Sequence, residues 1–195
     1  MYQQGISKTD IYNELSQTTD NKKFVARAVV ALPNPEGVIR YRRSNRVLAI
    51  LIFLLAILIG LAKFAQAADV NMTAAFILAP LFFAGFAACA WGIWKRAYPA
   101  YVTIGFLLFM MIPQTLRSML MILREPLEPS DDAYAMLSLD LFIGIPFLFF
   151  LLWLTIRTRN NIFSKAGFFG GPKKNKDGTY RFATRWELKA MKGKQ

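Results

Sequence analysis

Apolar residues in this chain run in blocks rather than alternating with polar ones. Four stretches, Val47–Gln66, Thr73–Trp94, Tyr98–Leu123 and Tyr134–Ile156, meet the ~20-residue length that a hydrocarbon core ~30 Å thick requires. The first reads VLAILIFLLAILIGLA and carries no polar face at helical period, so it is not the amphipathic helix of a soluble core. The pattern predicts an all-α membrane protein, a bundle of four transmembrane helices over residues 47–156.

The flanks read differently. Residues 1–46 are polar and locally helical, an amphipathic N-terminal segment. Ser7-Lys8-Thr9-Asp10 has the form of a capped helix start, with Ile11 and Leu15 four apart, and TDNKKFVARAVVAL carries a second helical stretch that LPNPEG (Leu32–Gly37) interrupts. Neither piece can form a core alone. Residues 157–195 are a basic tail in which Gly170-Gly171-Pro172 is a break. Asn175-Lys176-Asp177-Gly178 reads as a turn before TYRF, and Thr184-Arg185-Trp186-Glu187 as a capping box opening a short helix.

Charge gives this layout an orientation. Of 24 Lys and Arg, 21 precede the first span, separate the second from the third, or follow the fourth, which predicts that both termini are cytoplasmic. The loop EPLEPSDD (Glu125–Asp132) then faces outward. Trp91, Trp94, Tyr98, Tyr101 and Trp153 fall near the cytoplasmic ends of the spans, where amphipathic rings favour the headgroup layer. "AQAAD" (Ala65–Asp69) resembles a cleavage site, but ~45 residues precede an apolar run longer than a signal peptide's, so an uncleaved anchor is expected. Asn71-Met72-Thr73 matches a glycosylation pattern but lies at the membrane surface, and is read as chance. A bacterial inner membrane is the expected location.

Composition narrows the chemistry. No histidine is present, which removes the commonest general base, histidine-ligated haem and the usual zinc sites. The single cysteine, Cys89, lies inside the second span and is expected to be a small packing residue. No catalytic residue, metal ligand or cofactor is expected, and GGPKK lacks the spacing of a phosphate loop.

The candidate functional residues fall in three groups. Arg117 stands inside the third span, and an unpaired charge there costs at least ~2.5–3.5 kcal/mol, so it is expected either to find a partner or, at ~10 Å of depth, to snorkel to the outer headgroups. Asp140 in the fourth span arrives at similar depth, and Gln114 and Ser118 share the polar face, giving an intramembrane cluster of Arg117, Asp140, Gln114 and Ser118. Ala84, Ala88 and Gly92 recur every four residues on the second span and predict a helix-packing seam, inside the chain or with another protein. Arg40, Arg42, Arg43, Lys173, Lys174, Lys176 and Trp186 are expected to meet anionic lipid headgroups on the cytoplasmic side. Pro80, Pro113 and Pro146 are expected to kink their spans.

Two functions fit these features. One is a non-enzymatic accessory or interaction subunit of a membrane complex, with a protein partner or a homo-oligomer. The other is a small oligomeric transporter or channel using Arg117, Asp140 and Gln114. Nucleic acid is not an expected partner, since no RNA-binding motif is present.

Overall fold

The computed structural model describes residues 7–68, 72–124, 143–164, 172–175 and 178–184; for Gln66, Ala67, Ser118, Met119 and residues 121–124 it describes the backbone only. Within these, the chain is helical apart from one short hairpin. Helix α1 is Lys8–Thr18, α2 Lys22–Val30, α3 Pro35–Arg40, α4 Arg42–Ala68, α5 Met72–Trp94, α6 Tyr98–Arg124 and α7 Ile145–Ile162. The strands are β1 (Lys173–Lys174) and β2 (Tyr180–Arg181).

Three helices are long and apolar enough to cross a membrane: Arg42–Ala65 within α4, Met72–Trp94, and Tyr98–Arg117 within α6. The outward faces of α4 and α5 carry Leu58, Leu61, Phe76, Ile77 and Leu81 at 60–66% exposure, a surface that water would penalise and lipid would not. Helix α4 packs most extensively on α5, and α6 packs on both α5 and α7. The seam of α6 is Tyr101, Ile104, Leu108 and Ile112, spaced as one helical face; Leu48, Ile52 and Ala56 of α4 and Leu148, Leu151 and Leu152 of α7 belong to the same core. Cys89 is buried in that core, as its position in the sequence led us to expect.

The expected fourth span, Tyr134–Ile156, begins outside the described residues, and its later part is the first two-thirds of α7. Pro146 lies in the first turn of α7, directly after a π-helical turn at Ile143 and Gly144. Pro80 and Pro113 do lie inside α5 and α6.

Helix α1 starts as the sequence predicts, and the structure adds the starts of α2 and α3. Ser7 caps α1, its side chain accepting from the Asp10 N–H at 3.2 Å, and Asn21 caps α2 by accepting from the Phe24 N–H at 3.0 Å. LPNPEG ends one helix and starts another: Asn34 is the N-cap of α3 and Pro35 opens it. Beside the strands of the hairpin the Asn175 N–H donates to the Thr179 carbonyl at 2.8 Å, the Gly178 N–H donates to the Asn175 carbonyl at 3.1 Å, and Gly178 lies in the left-handed region at φ 84°. The register pairs Lys173 with Arg181 and Lys174 with Tyr180.

The two flanks also meet. Ile11 of α1, Val25, Ala26, Val29 and Val30 of α2, and Phe182 just after β2 share one small apolar core, with Tyr12, Leu32, Tyr180 and Tyr98 packed around it. Tyr98 begins α6, so this head sits on the bundle at the end where α5 turns into α6. The N-terminal segment alone has too few apolar side chains for a core, and the tail supplies the missing Phe182 and Tyr180.

Candidate functional site

Helix ends leave backbone carbonyls without intrahelical donors, and at this end of the bundle the chain supplies donors from the N-terminal segment. The Asn34 N–H donates to the Ile162 carbonyl at the end of α7, at 2.7 Å. Lys8 reaches from α1 to the Leu32 carbonyl just past α2, at 2.6 Å, and to Ser164 Oγ at 2.9 Å. Asn45 Nδ2 of α4 donates to the Ile93 carbonyl near the end of α5, at 3.0 Å, and the Tyr101 hydroxyl donates to Asn45 Oδ1. These groups are buried: Lys8 is 6% exposed, Asn34 7% and Asn45 2%. Unpaired, each would oppose folding by ~1–3 kcal/mol, so the head and the bundle end are fixed to one another by polar complementarity as well as apolar burial.

Close backbone approach adds to this. A Cβ on Gly37 would overlap the Asn161 carbonyl oxygen and lie 3.3 Å from Ile162 Cα, so only glycine lets α3 lie against the end of α7. The α5–α6 corner is equally tight. Ala97 N–H donates to the Gly92 carbonyl at 2.7 Å and Arg96 N–H to the Ile93 carbonyl at 2.9 Å, the two bonds of a Schellman cap, with Arg96 at φ 59° where glycine is usual.

Tyr101 corrects the sequence reading. It is fully buried, bonded to Asn45 and packed edge-on to Phe163 at 5.5 Å, and so is a core residue rather than part of a headgroup belt. Tyr98 is half-buried against Phe163 at 5.1 Å. Trp91, Trp94 and Trp153 are exposed, each with a cation over its face: Arg46 at 5.6 Å from Trp94, Lys95 at 5.0 Å from Trp91, and Arg157 at 4.8 Å from Trp153. Arg159, one turn from the head, is 2% exposed; burial pushes its guanidinium below the ordinary arginine value, and Tyr98 opposes that shift. A guanidinium starts so far above neutrality that Arg159 remains a cation.

Arg117 and Gln114 are exposed on α6, away from the Tyr101–Ile112 seam. Asp140 and the Ser118 side chain lie outside the described residues. The small-residue row divides: Ala84 and Ala88 are exposed on α5, whereas Gly92 lies where a Cβ would meet Ala100 Cβ at 2.6 Å and so serves the α5–α6 corner. Arg40, Arg42 and Arg43 are exposed around the α3–α4 junction and Lys173 and Lys174 on β1, while Lys176 and Trp186 lie outside the described residues.

The sequence reading did not find a cleft of about 1540 Å³ between the α1–α2 helix pair and the hairpin. Lys22, Lys23, Lys174 and Arg181 line it, with Asp20 as the one carboxylate among the lining residues. Tyr12, Tyr180 and Phe182 line it as well. The available signal was the match between the apolar face of α2 (Val25, Ala26, Val29, Val30) and the apolar side chains of TYRF.

Comparison with protein-family models, with curated proteins and with solved structures finds no match for this chain.

Proposed function

We propose that this chain is a non-enzymatic integral membrane protein that acts as an accessory or interaction subunit of a membrane complex, presenting its head on the cytoplasmic face of a bacterial inner membrane. The observation that carries this reading is the head itself: two segments from opposite ends of the sequence, folded onto one end of the bundle and fixed there through Lys8, Asn34 and Gly37. A built, polar-locked platform beside the spans suits docking.

The same junction supports four crossings. Helix α4 leaves the head and α7 ends beside α3, an arrangement that supports an even number of crossings between the two flanks. With Tyr134–Ile156 as the fourth span, both termini lie on the side that retains basic residues. Arg40, Arg42 and Arg43 then meet the anionic leaflet, each contributing ~1 kcal/mol of attraction. The cation-capped Trp91, Trp94 and Trp153 mark the headgroup level.

Purification of the C-terminally tagged protein in mild detergent tests the reading. A membrane protein partner that stays bound through size exclusion is the expected result. A lone homo-oligomer that passes ions or solutes in liposomes would instead favour a transport role for Arg117, Asp140 and Gln114.

A further inference from the structure

We propose that the cleft between the α1–α2 pair and the hairpin is the docking site for an extended, acidic segment of a partner protein. The inference rests on the reading of the head as a docking platform and names the chemistry it recognises. Four cations, Lys22 and Lys23 at the start of α2 and Lys174 and Arg181 on the hairpin, line the cleft, with Asp20 as the one carboxylate among the described residues that line it. Two of the cations come from the N-terminal segment and two from the tail, so the basic surface exists only once the flanks have folded together. The start of α2 adds partial positive charge from its first N–H groups.

Three features choose among anionic occupants. The cleft, at about 1540 Å³, exceeds the ~300–1,000 Å³ usual for small-molecule sites, which favours a polymer over a free phosphate compound. Single-stranded nucleic acid is bound by stacking its bases on aromatic faces. Here the rings are already engaged: Tyr12 packs on Tyr180 at 5.5 Å and on Phe182 at 5.3 Å, and Lys174 lies 5.2 Å over the Tyr180 ring. A flat bilayer surface meets projecting side chains such as Arg42 and Arg43 rather than a concavity. What remains is a narrow, carboxylate-bearing chain whose side chains reach four separated cations while its backbone meets the polar wall of Asn13, Asn21 and Thr9.

The test uses the full chain in nanodiscs of neutral phosphatidylcholine and a fluorescein-labelled deca-glutamate peptide, read by anisotropy at physiological salt. Wild-type protein is expected to bind it, and deca-glutamine to bind at least tenfold more weakly. Lys22→Glu with Lys23→Glu, and separately Lys174→Glu with Arg181→Glu, are each expected to weaken binding at least tenfold. Arg42→Glu with Arg43→Glu, an equal change in net charge outside the cleft, is expected to change it less than threefold. The Lys→Gln and Arg→Gln versions keep the test intact should a reversal unfold the head, and are expected to weaken binding at least fivefold.

Absence of deca-glutamate binding would overturn the proposal, as would an equal loss in the Arg42/Arg43 variant, which would reduce the effect to overall charge. It would also fall if oligouridylate, inorganic pyrophosphate or anionic vesicles bound through the same four residues more tightly than the peptide. A stable complex that co-purifies unchanged in the cleft variants would sink this inference and leave the subunit reading standing. Cleft-dependent peptide binding by a protein that co-purifies with nothing would do the reverse.

Discussion

Replacing Gly37 by alanine tests the junction between head and bundle with one methyl group. The new Cβ would overlap the Asn161 carbonyl oxygen, and lie 3.3 Å from Ile162 Cα and 3.4 Å from the Asn161 carbonyl carbon. All three are backbone atoms of α7, so no side chain can swing away. Two responses are open. Either the clash persists, at the ~1–3 kcal/mol typical of overpacking, or α3 lifts off and breaks the Asn34 N–H bond to Ile162, leaving buried groups unpaired at ~1–3 kcal/mol. The protein takes the cheaper one, and alanine returns up to ~1 kcal/mol of helix propensity. The net loss is about 1–2 kcal/mol, hence a ~5–30-fold rise in the open population of the head. Trypsin cleavage at Arg40, Arg42 and Arg43 in detergent micelles reads that population when reclosing is faster than cleavage. Gly85→Ala is the matched control, because nothing lies within 4 Å of its Cβ position. Cleavage of Gly37→Ala at the wild-type rate, or at the rate of Gly85→Ala, would refute the close-approach argument.

Three further outcomes are expected. Tyr101→Phe removes the donor to buried Asn45 Oδ1 and should destabilise the solubilised protein by ~1–2 kcal/mol, with Tyr101→Phe/Asn45→Leu costing less than the sum of the single changes in thermal unfolding. Arg96→Gly relieves a left-handed position that an L side chain resists, and should raise stability by ~0.5–1 kcal/mol in the same assay; a loss would mean that the Arg96 side chain holds the corner together. If Arg117 and Asp140 form a structural pair, Arg117→Ala and Asp140→Ala should each lower the yield of folded protein while the double variant restores it, and normal folding of both single variants would remove the pair.

The spans were legible in the sequence because lipid demands length and apolarity, and α4, α5 and the apolar part of α6 satisfy both within a contiguous run. The helix cap at Ser7 was legible for a similar reason, since its partner lies three residues away, whereas Asn21 and Asn34 were not read as caps from the sequence. The head was not. Its contacts join residues as far apart as Lys8 and Ser164, separated by 156 positions, and nothing local in Lys8 announces that distant hydroxyl. Tyr101 was misread because an amphipathic ring near a helix end suits a headgroup layer as well as a buried bond to Asn45; only the position of α4 decides between them. The cations of the cleft were visible as charges but not as a surface, because two belong to each end of the chain.

The central claim is that both flanks of a membrane-spanning chain fold together on one side of the bilayer. In a Cys89→Ala background, single cysteines at Asn13 and Thr179 would be labelled with a membrane-impermeant maleimide in right-side-out and in inverted vesicles. Both are expected to react only in inverted vesicles, with a cysteine at Pro129 reacting only in right-side-out ones. Reaction of Asn13→Cys and Thr179→Cys from opposite sides, or of the chain in a fraction that sediments without membrane, would contradict the account.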